Sequence, residues 1–254
     1  MRTLHRLLFC IFGLIAGNDI KAFEQAANNW PTQEMVVHGA DKMYRERIAQ
    51  LERGHQLDQD AEFLRRVSLI SQKLIADAQE KSPQIATWLW ESHTTNDEQE
   101  SAFCMAGGKI LVSENFVQKL ELNDSELAML LSHELQHALL LHHLKEFQQA
   151  LTFDPTWQER GFEALQTAID EDPKLIQALQ TFNTAQEFEA DQKGLSLAIQ
   201  AGWQAKPLIR FFKKLAKHPN QSPFSRGEHP AAALRWQQIQ AQARALVQEA
   251  ETRP

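Results

Sequence analysis

Apolar positions along this chain recur mostly at the spacing of a helix. From Met35 to Gln56 they mark a first helix, with Gly54 interrupting near its end. Asp58 reads as the N-cap of a second helix running to about Glu80, which Ser82-Pro83 closes. The pattern then changes. Thr87 to His93, Ala102 to Met105 and Lys109 to Val112 are rich in β-branched and aromatic residues, and the last two are separated by Gly107-Gly108. These segments predict a small sheet of about three strands. Ser113 is placed to cap a short helix with Glu114 in its first turn, and Asn123-Asp124-Ser125-Glu126 to open a long apolar helix from Leu127 to about Lys145. Residues 150–183 read as irregular, with Pro155, Gly161 and Pro173 breaking short helical pieces. A helix from about Thr184 to Gln200 follows, ending at Gly202, and two more are expected at 205–217 and 230–250. The predicted class is mainly α with a small β-sheet, an α+β fold.

The first residues stand apart from this pattern. Arg2 and Arg6 precede an apolar run from Leu7 to Ala16, which is the layout of a secretory signal over residues 1–22. The run falls short of the roughly 20 apolar residues that a permanent membrane span needs. Cleavage near Ala22 is therefore expected, leaving residues 23–254 as one domain, with an uncleaved anchor or lipidation of Cys10 as the alternatives. A chain of 254 residues that is 43% hydrophobic can bury a substantial core. Its net charge of −7 gives no basic surface with which to displace counterions from a nucleic-acid backbone, so no nucleic-acid partner is expected. Two cysteines are too few for a disulfide framework, and Cys104 is expected to fill space in the core.

Chemistry concentrates in Ser132-His133-Glu134-Leu135-Gln136-His137, inside the long apolar helix. Residues four apart share a helix face, so both imidazoles can reach one ion. Glu134, about 100° round from His133, can touch a water on that ion without displacing it. Zinc takes neutral nitrogen and carboxylate oxygen ligands and in catalytic sites keeps one position for water. With Glu134 as base, such a site hydrolyses peptide bonds. Two histidines and a glutamate left unpaired on so apolar a helix would be costly to bury, which argues against a merely packed cluster. His142, about 140° from His137 on a continuous helix, cannot join the two as a third ligand and falls to a supporting place. The best third ligand is Glu187, on a later helix, where Asp191 at i+4 shares its face and can accept from a ligand imidazole. Glu189 is the competitor, but it points about 200° away from Glu187.

His133-Glu134-Leu135-Gln136-His137 followed by Glu187-Phe188-Glu189-Ala190-Asp191 resembles the family-forty-eight zinc metallopeptidases, which are gluzincins. Ala102 to Ile110 is similar to the segment preceding the family's active-site helix, and His229-Pro230 with Arg235 to its C-terminal signature. The likeness covers roughly residues 60–240. It implies a zincin-type metallopeptidase domain with one zinc held by His133, His137 and Glu187, Glu134 as base and Asp191 behind a ligand. His229 would be a further catalytic group near the metal or the oxyanion. Without several membrane spans and with a signal, the chain looks like the soluble periplasmic BepA/LoiP-like branch, acting on unfolded or misassembled envelope proteins, with peripheral membrane association as an added expectation. A departure from the family pattern is Ser101, where Asn is usual before Ala-Phe. Substrate is expected to pair along an edge strand entered at Gly108, Lys109 and Ile110, with an ordinary buried strand there as the alternative, and residues 150–183 to form a lid or insertion. The alternative is a non-catalytic zinc-stabilised chaperone or assembly factor.

Overall fold

The structure, a computed structural model, describes residues 30–217 and 231–252. Along the chain run helices α1 (Gln33–Arg53) and α2 (Ala61–Lys81), then strands β1 (Glu91–Thr95), β2 (Ala102–Met105) and β3 (Lys109–Ser113). Helices α3 (Glu114–Lys119), α4 (Asp124–Leu139), α5 (His142–Phe153), α6 (Trp157–Arg160) and α7 (Phe162–Glu171) follow. The last are α8 (Pro173–Gln200), α9 (Ala205–Leu208), α10 (Arg210–Lys217) and α11 (Ala232–Thr252). The α+β class read from the sequence is the observed one. The expected signal over 1–22, with Cys10, lies outside the described residues. No helix among the described residues is long and apolar enough to cross a membrane.

The fold is built around α4. Asn123 accepts from the backbone N–H of Glu126 while the Glu126 carboxylate accepts from that of Asn123, a reciprocal cap that fixes where the helix begins. Glu126 is itself buried and is held by Lys214 at 2.8 Å and Arg210 at 3.4 Å, which fastens α10 to this end of the helix. From there nearly every residue to Ala138 is buried, against α2, α8 and the sheet. Its apolar residues are spread round the helix rather than along one stripe, as suits a helix packed on several sides.

The sheet order is β1-β3-β2, with β1 parallel and β2 antiparallel to the central β3. Ala102, Cys104, Ile110 and Val112 face the α4 core, whereas Phe103, Met105 and Leu111 face Tyr44 and Leu51 of α1. That alternation is the period of two that a strand imposes. Cys104 is a buried core residue, as expected. Gly107 and Gly108 turn β2 into β3 with φ near +85° and +84°, a region that side-chain-bearing residues rarely adopt. A Cβ on Gly108 would also lie 2.7 Å from the Trp90 ring.

Several expectations are corrected. Asp60, not Asp58, caps α2, accepting from the backbone of Glu62 and Phe63. Asp58 instead adopts a left-handed conformation and binds His93 Nδ1 at 2.5 Å and the Thr94 N–H at 2.7 Å. The long helix expected to reach Lys145 stops at Leu139, because Leu141 turns into the left-handed region with φ 57° and α5 starts in a new direction. Residues 150–172 form short helices with breaks near Pro155, Gly161 and Pro173, as expected, but the helix expected from Thr184 begins already at Pro173. Pro173, read as a breaker, occupies the first turn of α8, where it has no N–H to satisfy, and Asp172 caps that end. Phe147, Ala150, Trp157, Leu165, Leu175 and Leu179 pack with Val36 and Ala40 of α1 into a second core. This helical block forms one wall of a cleft whose other wall is β2.

Candidate metal centre

Helices α4 and α8 pack face to face, and their contact decides the site. Glu187, Asp191 and Gly194 lie on one face of α8, at i, i+4 and i+7. Gly194 touches the α4 backbone: a Cβ there would stand 2.9 Å from His133 N and 3.1 Å from His133 Cα. A mid-helix glycine costs about 1 kcal/mol relative to alanine, and here it lets the two backbones meet. Gly194→Ala is expected to push α8 off α4, because backbone atoms cannot rotate aside. Overpacking of about 1–3 kcal/mol outweighs the propensity gain of about 1 kcal/mol, for a net loss of roughly 1–2 kcal/mol. Denaturant melts would measure it, and unchanged stability would show that the contact relaxes freely.

The close approach brings three ligand-type side chains together. His133 Nε2 and His137 Nε2 are 3.3 Å apart, Glu187 Oε2 is 3.5 Å from His133 Nε2, and Glu187 Oε1 is 3.2 Å from His137 Nε2. Two donors about 2.0–2.1 Å from one ion in tetrahedral geometry lie about 3.3–3.4 Å from each other. The two imidazole nitrogens are separated by that edge length and each has one Glu187 oxygen at 3.2–3.5 Å, Oε2 for His133 and Oε1 for His137, so the three residues can hold one small divalent cation. His133 and Glu187 are buried and His137 is partly so. Glu134 stands beside them with Oε1 at 3.9 Å from His133 Nε2, and this buried oxygen has no hydrogen-bond partner among the described residues. Burial pushes the Glu134 carboxyl up to about 8; the nearby His137 opposes the rise and Glu187 adds to it.

Behind His133 stands a second layer. Asp191 Oδ1 is 2.8 Å from His133 Nδ1, so the aspartate accepts its proton and leaves Nε2 facing the cluster. Arg235 of α11 is 1% exposed and clamps Asp191 with two bonds, Nε to Oδ2 at 2.8 Å and NH2 to Oδ1 at 2.6 Å. Burial works against the charge on Asp191, but Arg235 and His133 together hold its carboxyl below the usual range. Burial, helped by Arg235, lowers His133 to about 4, which keeps the ring neutral. Sequence reasoning had Arg235 only as part of a signature. An arginine near the start of an Ala- and Gln-rich helix was the available signal, and its target on α8 was not readable from spacing.

The structure places the other expected residues as follows. Gly108, Lys109 and Ile110 do not form an edge: β3 is central and paired on both sides. The Lys109 side chain is 5% exposed and its Nζ binds Leu89 O at 2.7 Å and Glu91 at 3.3 Å. The edges are β1 and β2, and β2 is the one on the cleft. Its Phe103 and Met105 line a cleft of about 430 Å³ with Glu134, His137 and Glu187, opposite Ile169 and Ile176. Ser101 also lines it. His142 lies against His137 rather than about 140° away, since α4 and α5 are separate helices. His229 lies outside the described residues.

The chain matches the model of peptidase family M48 over residues 64–243. It is also similar to the mitochondrial metalloendopeptidase OMA1 of Arabidopsis thaliana, with 28% identity over 136 residues. That alignment covers 50% of this chain but 26% of the relative, so the chain spans about a quarter of that protein. The family match takes in β1 to β3, α4, α8 and the first half of α11, which are the elements that build the centre. The chain belongs to peptidase family M48, a family of metal-dependent peptidases.

Proposed function

We propose that this chain is a zinc endopeptidase in which His133, His137 and Glu187 hold the ion and Glu134 is the general base. The observation that carries the reading is the convergence of His133 Nε2, His137 Nε2 and the Glu187 carboxylate at 3.2–3.5 Å, with an unbonded carboxylate oxygen of Glu134 beside them. When bound, zinc would supply a Lewis acid for the scissile carbonyl and make a water acidic enough to attack near neutral pH. The chain's own residues do the rest. The Glu134 carboxylate, which the charge of a bound cation would keep ionised against its burial, takes a proton from the attacking water and returns it to the leaving amine. Asp191 holds His133 in the tautomer that keeps Nε2 free, and burial of the cluster excludes bulk water. An extended substrate pairs with the free edge of β2, placing its backbone beside Glu134.

The substrates proposed are unfolded or misassembled envelope proteins, met in the periplasm after removal of residues 1–22. The basic and apolar start of the chain supports export, and the resemblance to the soluble periplasmic branch supports the substrate class. Membrane association is at most peripheral in this reading.

Cleavage of unfolded casein by the purified protein is expected to stop on chelation and return with added zinc. Glu187→Ala should lower bound zinc well below about one ion per chain, as loss of one of three protein ligands must. Casein cleavage that is indifferent to chelator, or full zinc in Glu187→Ala by elemental analysis, would refute the assignment. The alternative, a zinc-stabilised assembly factor without catalysis, finds no support in the placement of Glu134.

A further inference from the structure

The two imidazoles of the centre are oriented by different devices. His133 Nδ1 meets a carboxylate directly, in Asp191 at 2.8 Å. His137 Nδ1 meets another imidazole, with His142 Nδ1 at 3.2 Å and the rings edge to face at 82°. On its far side, His142 Nε2 lies 3.3 Å from Glu189 Oε2. The break at Leu141 makes this possible, because it turns α5 so that His142 falls beside His137. Gln186 Nε2 donates to His142 O at 3.1 Å and ties the start of α5 to α8.

We propose that Glu189, acting through His142, sets the tautomer of His137 and thereby reserves its Nε2 for the metal. This rests on the metal-binding reading above. Proton placement along the chain follows from donor and acceptor rules. A carboxylate can only accept, so His142 carries its proton on Nε2 and gives it to Glu189. His142 Nδ1 is then a lone pair, and the facing His137 Nδ1 must be the donor. With an ion in place of a proton on Nε2, a His137 ring protonated at Nδ1 turns its Nε2 lone pair to the metal; without the ion, Glu187 Oε1 at 3.2 Å can accept a proton from that same Nε2. Glu189 and His142 are positioning residues: neither offers an atom to the cluster. Lys145 Nζ, 3.9 Å from Glu189 Oε2, adds a weak hold on the carboxylate. Without Glu189, His142 is free to move its proton to Nδ1. It then faces His137 as a donor and favours the His137 tautomer that cannot ligate.

The Glu189 side chain is 42% exposed, so substituting it leaves the core intact. Zinc affinity is measured by competition with a chromophoric chelator for wild type, Glu189→Gln and Glu189→Ala. In parallel, imidazole tautomers are read by long-range proton–nitrogen NMR on the metal-free proteins. Glu189→Gln keeps an acceptor oxygen and should bind zinc close to wild type, with His142 protonated at Nε2. Glu189→Ala should bind about 10–100-fold more weakly and show mixed tautomers at His142. Wild-type affinity and tautomers in Glu189→Ala would overturn the proposal, as would equal losses in the Gln and Ala variants. A wild-type protein that bound no zinc would instead overturn the functional reading, and the tautomers of the metal-free variants would still decide the relay.

Discussion

Glu134→Gln is expected to retain zinc and lose about 10²–10⁴-fold in kcat, the usual range for a positioned acid–base group. The substitution keeps the shape of the side chain and one oxygen, so the packing of α4 against α8 and the three ligand-type donors stay in place. It removes the one function proposed for this residue, that of taking a proton from water and passing it on. Because Glu134 Oε1 has no hydrogen-bond partner among the described residues, the amide breaks no existing bond there. The loss should therefore fall on kcat, with KM and zinc content close to wild type. Single-turnover cleavage of a quenched-fluorescence peptide, with elemental analysis of the same samples, separates the cases. A variant as fast as wild type would remove Glu134 from the chemistry. A variant without zinc would make it a ligand instead.

How much of this was readable beforehand depended on whether the deciding interaction is local in sequence. His133, Glu134 and His137 were legible because helical periodicity alone puts them around one point. Glu187 and Asp191 were legible as a pair for the same reason, though only the fold shows that α8 lies against α4. The break at Leu140-Leu141 was not, since no glycine or proline marks it and the apolar pattern runs through. That hid the contact between His142 and His137, and Glu189 with it. The three short strands looked alike, so their order was open. Gly107-Gly108 marked the turn correctly, but the pairing placed β3 in the centre and β2 at the edge. Gly194 carried a signal that was passed over, as a glycine inside a helix usually has a packing reason. Here the reason is the α4 backbone at His133.

Arg235→Ala should be among the most destabilising single changes in the chain, because it strands a buried carboxylate. Arg235 and Asp191 are 1% and 3% exposed, and the guanidinium grips both carboxylate oxygens. Removing one partner of such a pair costs about 3–5 kcal/mol, a large share of the 5–15 kcal/mol that typically holds a domain together. The pair as a whole contributes much less, since both ions were taken out of water to form it. Asp191→Ala combined with Arg235→Ala is therefore expected to be far less destabilised than the sum of the single changes, with a coupling of about 1–3 kcal/mol or more. Arg235→Lys should recover only part of the loss, for an ammonium cannot reproduce the two-point grip. Zinc affinity should fall in each variant, since Asp191 can no longer hold the His133 ring as it does now. Denaturant melts of the metal-free proteins measure the first effect and chelator competition the second. If Arg235→Ala unfolded within about 1 kcal/mol of wild type, the ordinary range for a single substitution, α11 would be only a cover over the site. If the full loss appears, this helix, 44 residues beyond Asp191 in sequence, is part of what builds the metal centre.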